Sequence, residues 1–378
     1  MKKKILIAIG TRPEAIKMIP VIKKLQKDNH FKVKICITGQ HREMVIELLN
    51  LFDIEFDYNL NIMLPNQSLS DITANILTKM NFVLKDFKPN LVLIHGDTTT
   101  TFTVALSCYY NQVKVGHVEA GLRTGDIYSP WPEEGNRKLT ADLATLSFAP
   151  TKKAKENLLK ENIPEKNIFI TGNTAVDALE LVLEKLKKTE TEANILQKLL
   201  LQINFNKSIL DSKFILITGH RRENFGEGFE NICKAIKELA FKYKDIHFVY
   251  VVHLNPNVRK PVKKILSGIN NVHLIEPLDY FSFVYLMKNS YLIMTDSGGI
   301  QEEAPSLGKL VVLMREHTER PEGLLRGTMM LVGTSKEKII DNVSKIFDKK
   351  ISNKVKVNNP FGDGKASQKI INILKEKL

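Results

Sequence analysis

The chain has 378 residues, 43% hydrophobic and 26% charged, which excludes a disordered polypeptide and is longer than one hydrophobic core usually serves. Lysine and arginine number 55 against 42 aspartates and glutamates, a net charge of +13, which favours anionic partners such as phosphate esters and nucleotides. No basic stripe is interleaved with aromatics and no window approaches the length of a membrane-spanning helix, so the expectation is no nucleic acid and no membrane insertion.

The opening "MKKKILIAIGTRPE" has an apolar run too short for a signal peptide before Arg12 and Glu14 interrupt it, and reads as a first strand. A helix follows through "PEAIKMIPVIKKLQKD", then "FKVKICITG", a helix through "HREMVIELLNLF", and the strand-like "PNLVLIHGD". This alternation predicts a parallel sheet covered by helices on both faces, its strands continuous apolar runs. After a Lys- and Glu-rich helical stretch at 177–212 the pattern restarts with "KFILITGH", "IHFVYVVH", "NVHLIEP", "SYLIMTDSGG" and "KLVVLMR". The expected architecture is therefore α/β, with two Rossmann-like, doubly wound parallel-sheet domains facing a central cleft. The first covers residues 1–172 and the second 173–362, and the helix in 363–378 packs back on the first. Cys36, Cys108 and Cys233 are odd in number, far apart and set in apolar runs. They read as reduced, buried thiols of a cytoplasmic protein, and no Cys/His cluster has zinc spacing.

In such sheets ligands sit beyond the carboxyl ends of the strands. The polar residues collect there: Thr11, Arg12, Glu14 and Lys17 after "ILIAIG"; Asp97 after "LVLIHG"; Glu119 after "VGHV"; His220, Arg221 and Arg222 after "ILITG"; Ser297, Gly298 and Gly299 after "LIMTD". Each alone has a plain structural reading. Asp97 before four threonines could cap a helix, Glu119 could pair with Arg123, His220 could bond to backbone, and "PEE" at 132–134 could open a surface helix. "TDSGGIQEEAPSLG" is the clearest anion-binding element, with small residues between a strand and a helix start, and its spacing is neither a Walker loop nor a dinucleotide fingerprint. Arg12 and Arg320 are candidate phosphate clamps. A cleft holding Asp97, Glu119, Glu133 and His220 could keep one group protonated and another ionised, as proton transfer at carbon requires.

Taken together, "GTRPEAIKM", "TGQHREM", "HGDTTTTF", "GHVEAGLRTGD", "SPWPEEGNR", "TGNTAVDAL", "GHRREN", "VHLNPNV", "TDSGGIQEEAPSLGK", "TERPEG" and "NPFGDGKAS" closely resemble the non-hydrolysing UDP-N-acetylglucosamine 2-epimerases over nearly the whole chain. The resemblance implies a GT-B-like fold and reversible conversion of UDP-GlcNAc to UDP-ManNAc through elimination and re-addition of UDP. It implies no metal, no nicotinamide cofactor and a homodimer. It assigns Asp97, Glu119 and Glu133 as catalytic carboxylates, Lys17 as another active-site residue and His220 as a phosphate or sugar contact. Arg12, Ser297, Gly298, Gly299 and Arg320 fall to the diphosphate, Glu303 to the ribose and Phe283 to the uracil, the last weighed evenly against core packing. Gln40, Gln67, Arg221 and His253, with Glu133, match the site at which some members bind a second UDP-GlcNAc as activator. Glu43 and Asn66 depart from that pattern and leave regulation open. Hydrolysing 2-epimerases, epimerases of diacetamido sugars, GT-B glycosyltransferases and a non-catalytic UDP-sugar sensor are the competing readings.

Overall fold

The computed structural model describes residues 2–64, 67–202, 205–353, 355 and 359–378; Asn66 lies outside the described residues. The chain divides into two compact units, Met1–Ala178 with Phe361–Leu378, and Leu179–Pro360. The helix Thr174–Leu186 begins in one unit and ends in the other.

The first unit is built on strands β1 (Lys3–Ile9), β2 (Phe31–Ile37), β3 (Tyr58–Asn59), β4 (Leu91–His95), β5 (Lys114–Val118), β6 (Leu146–Ala149) and β7 (Ile168–Ile170). They form one parallel sheet in the order β3-β2-β1-β4-β5-β6-β7. Ile5 to Ile9 and Leu91 to Ile94 are buried throughout, as strands covered on both faces must be. The helix Arg12–Lys27 buries Ala15, Met18, Ile19, Ile22 and Leu25, a stripe at helical spacing, with Pro13 at its start and Lys24 and Lys27 in its last turn. The last helix, Ala366–Lys377, packs on it. That helix has no cap from its own Lys365. Asp177 does the capping instead, accepting from the backbone N–H groups of Ala366 (3.1 Å) and Ser367 (2.8 Å) and from the Ser367 hydroxyl (2.5 Å).

The second unit is built on β8 (Phe214–Thr218), β9 (His247–Val251), β10 (Val272–Ile275), β11 (Leu292–Thr295), β12 (Val311–Leu313) and β13 (Met329–Leu331), all parallel, in the order β10-β9-β8-β11-β12-β13. This is the strand order of a dinucleotide-binding domain, reversing direction between β8 and β11. Its core gathers Ile215, Phe229, Ile236, Phe248, Tyr250, Met294 and Val312. In the first sheet the corresponding reversal lies between β1 and β4. A ligand crevice is expected at each such point, just past the strand ends.

Candidate active site

In the first unit the chain leaves β1 at Gly10, β4 at Gly96 and β5 at Glu119. Glu119 is itself in the left-handed backbone region (φ 65°), a conformation sparsely used by residues with a Cβ and a common sign of a constrained functional position. Its side chain is ion-paired with Lys17 and accepts a 2.7 Å hydrogen bond from the Asn173 amide. The expected alternative partner, Arg123, is bound to Glu161 instead (Nη2–Oε2 2.6 Å).

Asp97 does not cap the helix Thr99–Tyr110. Thr98 does so, accepting from the Thr101 N–H. Asp97 Oδ2 is held by the Arg137 guanidinium through Nε (2.9 Å) and Nη2 (2.7 Å), and the Asp97 carbonyl accepts from Asn136 (2.9 Å). Arg137 is itself pinned to the fully buried Glu134 (2.9 Å). Both Arg137 and Asn136 come from the helix Glu133–Leu143, so "SPWPEEGNR" folds into a clamp on the aspartate. Glu133 opens that helix, and its Oε2 is buried without a hydrogen-bond partner among the described residues.

Beside these carboxylates sit two histidines that sequence position alone did not single out. His95 and His117 are fully enclosed, and burial pushes both imidazoles down to about 4, so they are neutral at physiological pH. His95 Nε2 is 3.9 Å from Glu119 Oε2, and His117 Nε2 is 2.7 Å from the Gly96 carbonyl. Glu14 accepts from the Gly10 N–H (2.8 Å) and the Thr11 hydroxyl (3.0 Å), and burial raises its carboxyl to about 7. Arg12 begins the helix that carries Lys17. Gln40 accepts a 3.2 Å bond from Thr100, and Gln67 accepts one of 2.8 Å from the Leu64 N–H.

In the second unit the organising residue is Asp296, at the end of β11 and wholly buried. It accepts from the backbone N–H groups of His220 (3.0 Å) and Arg221 (2.9 Å) and from the Asn224 amide (3.1 Å). A buried carboxylate so supplied with donors fixes the "GHRREN" loop in place. His220 stacks on His253 at 5.4 Å between ring centroids, and burial lowers both imidazoles. Ser297 and Gly298 follow Asp296, and Gly298 with Gly299 opens only a short helix, Gly298–Glu303. Gly298 is closely approached: a Cβ there would lie 2.9 Å from Arg320 Nη1 and 3.3 Å from Arg221 Nη2. Two guanidinium groups thus converge on one glycine. Arg320 is oriented by the buried Glu302 (2.6 Å) and Glu319 (2.8 Å), which leaves it a braced rather than a loose cation. Glu303 accepts from the Tyr280 hydroxyl (3.0 Å), and Phe283 lies partly buried on the helix Tyr280–Asn289.

Sequence position found the strand-end residues; it gave no sign of Asn173, His95 or Asp296 as partners. Asp296 was within reach, since an acidic residue between a strand and "SGG" has few places to go but inward. Among the described residues no group of three His, Cys, Asp or Glu side chains could hold a metal ion, and no helix is long and apolar enough to cross a membrane.

Two Rossmann-like units, each carrying charged groups at its point of strand reversal, define a GT-B-like α/β protein. A family model described as UDP-N-acetylglucosamine 2-epimerase matches residues 23–375. A protein of that name from Campylobacter jejuni is 55% identical over 99% of this chain and 98% of its own. The crystal structure of the Neisseria meningitidis UDP-GlcNAc 2-epimerase bound to UDP-GlcNAc superposes with a TM-score of 0.93 at 52% identity, over 99% of this chain and 100% of that one. The Methanocaldococcus jannaschii enzyme in complex with UDP-GlcNAc and UDP does so at 0.85 and 36%, over 99% of each chain. The chain belongs to the UDP-N-acetylglucosamine 2-epimerase family and is an isomerase of that kind.

Proposed function

We propose that the chain interconverts UDP-N-acetylglucosamine and UDP-N-acetylmannosamine without net hydrolysis, as a homodimer in the cytoplasm. The observation that carries this reading is the pair of carboxylates at the carboxyl end of one sheet, each with its own cation: Glu119 with Lys17, and Asp97 with Arg137. Two separately supported carboxylates suit a reaction that moves a proton on one face of a sugar and returns it on the other.

In the proposed cycle a carboxylate removes the C-2 proton, and the C–H electron pair forms the C-1 to C-2 double bond. The bond from C-1 to the diphosphate oxygen breaks, UDP leaves with that electron pair, and 2-acetamidoglucal remains. A second group then protonates C-2 from the opposite face while UDP re-adds at C-1. Asp97, Glu119 and Glu133 supply the acid and base groups. Arg12, Arg221 and Arg320, with Ser297, Gly298 and Gly299, neutralise the diphosphate, and that interaction accelerates the step to the extent that it strengthens as UDP departs. His220 contacts the phosphate or the sugar; Glu303 takes the ribose and Phe283 the uracil.

Proton–deuterium exchange at C-2, followed by NMR in deuterated water, tests the assignment. Asp97→Asn and Glu119→Gln are each expected to lower turnover and exchange by about 100-fold or more while UDP still binds. Wild-type exchange in either variant would remove that carboxylate from the mechanism. Steady accumulation of free UDP and free N-acetylmannosamine in the same spectra would instead select the hydrolysing reaction.

A further inference from the structure

The loop after β7 turns back toward the end of β5 and delivers one side chain to Glu119, the Asn173 amide, whose Nδ2 donates to Glu119 Oε2 at 2.7 Å. Asn173 is 2% exposed, and both its backbone N–H and its side-chain oxygen are engaged. Its backbone N–H donates to the Phe361 carbonyl (2.7 Å), and its Oδ1 accepts from the Ala175 N–H (2.9 Å). The second bond settles which way round the amide sits: Oδ1 faces a donor, so Nδ2 must be the end directed at Glu119. A long-range side chain fixed at both ends and directed at a carboxylate in a left-handed backbone conformation is more than a loop fastener.

We propose, on the reading that Glu119 is an acid/base group of the epimerase reaction, that Asn173 is a positioning residue. It holds the Glu119 carboxylate in one orientation and supports its ionised form, and it is set in register by the returning segment that starts at Phe361. The neighbours of Glu119 define the job. Lys17 approaches from the helix Arg12–Lys27, the neutral His95 (3.9 Å) from β4 and the neutral His117 from β5, and both imidazoles also feel the charge of Asp97 beyond β4. Lys17 contributes charge on a flexible four-carbon stem, whereas a locked amide contributes direction. A donor to the charged form of a carboxylate lowers the pH at which it takes up a proton, so Asn173 keeps Glu119 available as a base toward the acid side of neutrality.

The test is the pH dependence of kcat/KM in Asn173→Ala and Asn173→Asp, with folding checked by thermal melts. Removing the donor is expected to lower kcat by ~10-fold to 100-fold and move the acid limb to higher pH, and Asp, which replaces the donor by a negative charge, is expected to move it further. KM for UDP-GlcNAc should stay within about twofold, since positioning acts on the chemical step. A folded Asn173→Ala enzyme with an unmoved acid limb would overturn the proposal whether or not it is slower, as would a limb that moves equally in both variants. Glu119→Gln is assayed in parallel: full turnover there defeats the reading of Glu119 itself, whereas loss there with an unmoved limb in the Asn173 variants defeats this inference alone.

Discussion

Glu14 shows how one side chain near the candidate site registers pH. Its carboxyl is raised from 4.5 to about 7 by burial, so between those values the folded chain holds a proton the unfolded chain has released. Stability from this group is fully present below pH 4.5 and is lost as pH rises through 7. His95 and His117 act with the opposite sign: both are lowered from 6.5 to about 4, so their contribution is present above pH 6.5 and lost as pH falls through 4. Glu14→Gln keeps one acceptor oxygen for the Gly10 N–H, turns its NH2 toward the Thr11 hydroxyl oxygen and cannot ionise. It is expected to stabilise the protein at pH 8 by roughly 1–3 kcal/mol and to change little at pH 5, as read by chemical denaturation at the two pH values. An equal change at both would show that Glu14 does not titrate near neutrality. Charge at strand ends was readable in the sequence because strand and loop alternate there, which is how Asp97, Glu119 and Lys17 were found. Partnership was not readable: Asn173 lies 54 positions beyond Glu119, and only the topology joins them.

At the scale of elements, the long apolar strands and amphipathic helices were legible, while β3, β6, β7 and β13 were not. Tyr58–Asn59 has two residues, and Ile168–Ile170 and Met329–Leu331 have three each, too few to carry a period. Leu146–Ala149 lacks any β-branched residue. β3, β7 and β13 are edge strands and β6 lies beside one, so each completes a sheet already specified by its neighbours. The β5–loop junction is specified more tightly. Gly121 has φ 92°, and a Cβ there would come within 2.3 Å of the Ala154 carbonyl oxygen at the start of the helix Lys152–Lys160. Gly121→Ala therefore adds backbone strain to a clash with backbone that cannot swing aside, and is expected to cost about 3 kcal/mol or more. An urea denaturation midpoint matching the parent would show that the loop repacks freely.

For the whole molecule, the homodimer predicted under the proposed function has a candidate surface in the first unit. Phe82 is 72% exposed on the helix Leu69–Phe87, and Tyr109 and Tyr110 are 63% and 64% exposed at the end of the helix Thr99–Tyr110 packed beside it, an unusual concentration of exposed aromatics for a surface left to water. Sedimentation velocity is expected to give twice the mass of one chain at micromolar concentration, and Phe82→Glu with Tyr110→Glu is expected to return it to one. A wild-type mass of a single chain would refute the assembly. The two-unit architecture was visible in the restart of the strand pattern, but the exchange at the end was only partly so: the first unit reclaims the chain at Phe361, and it is Asp177, far back in the sequence, that caps the final helix. On the ribosome this ordering matters. Synthesis is vectorial, so the β7 loop emerges with no Phe361 carbonyl to receive it, and the whole of the second unit must be translated before that carbonyl exists. Asn173 thus gains its Phe361 anchor only late in translation, and a chain stopped before that point presents the amide to Glu119 from a loop not yet fastened.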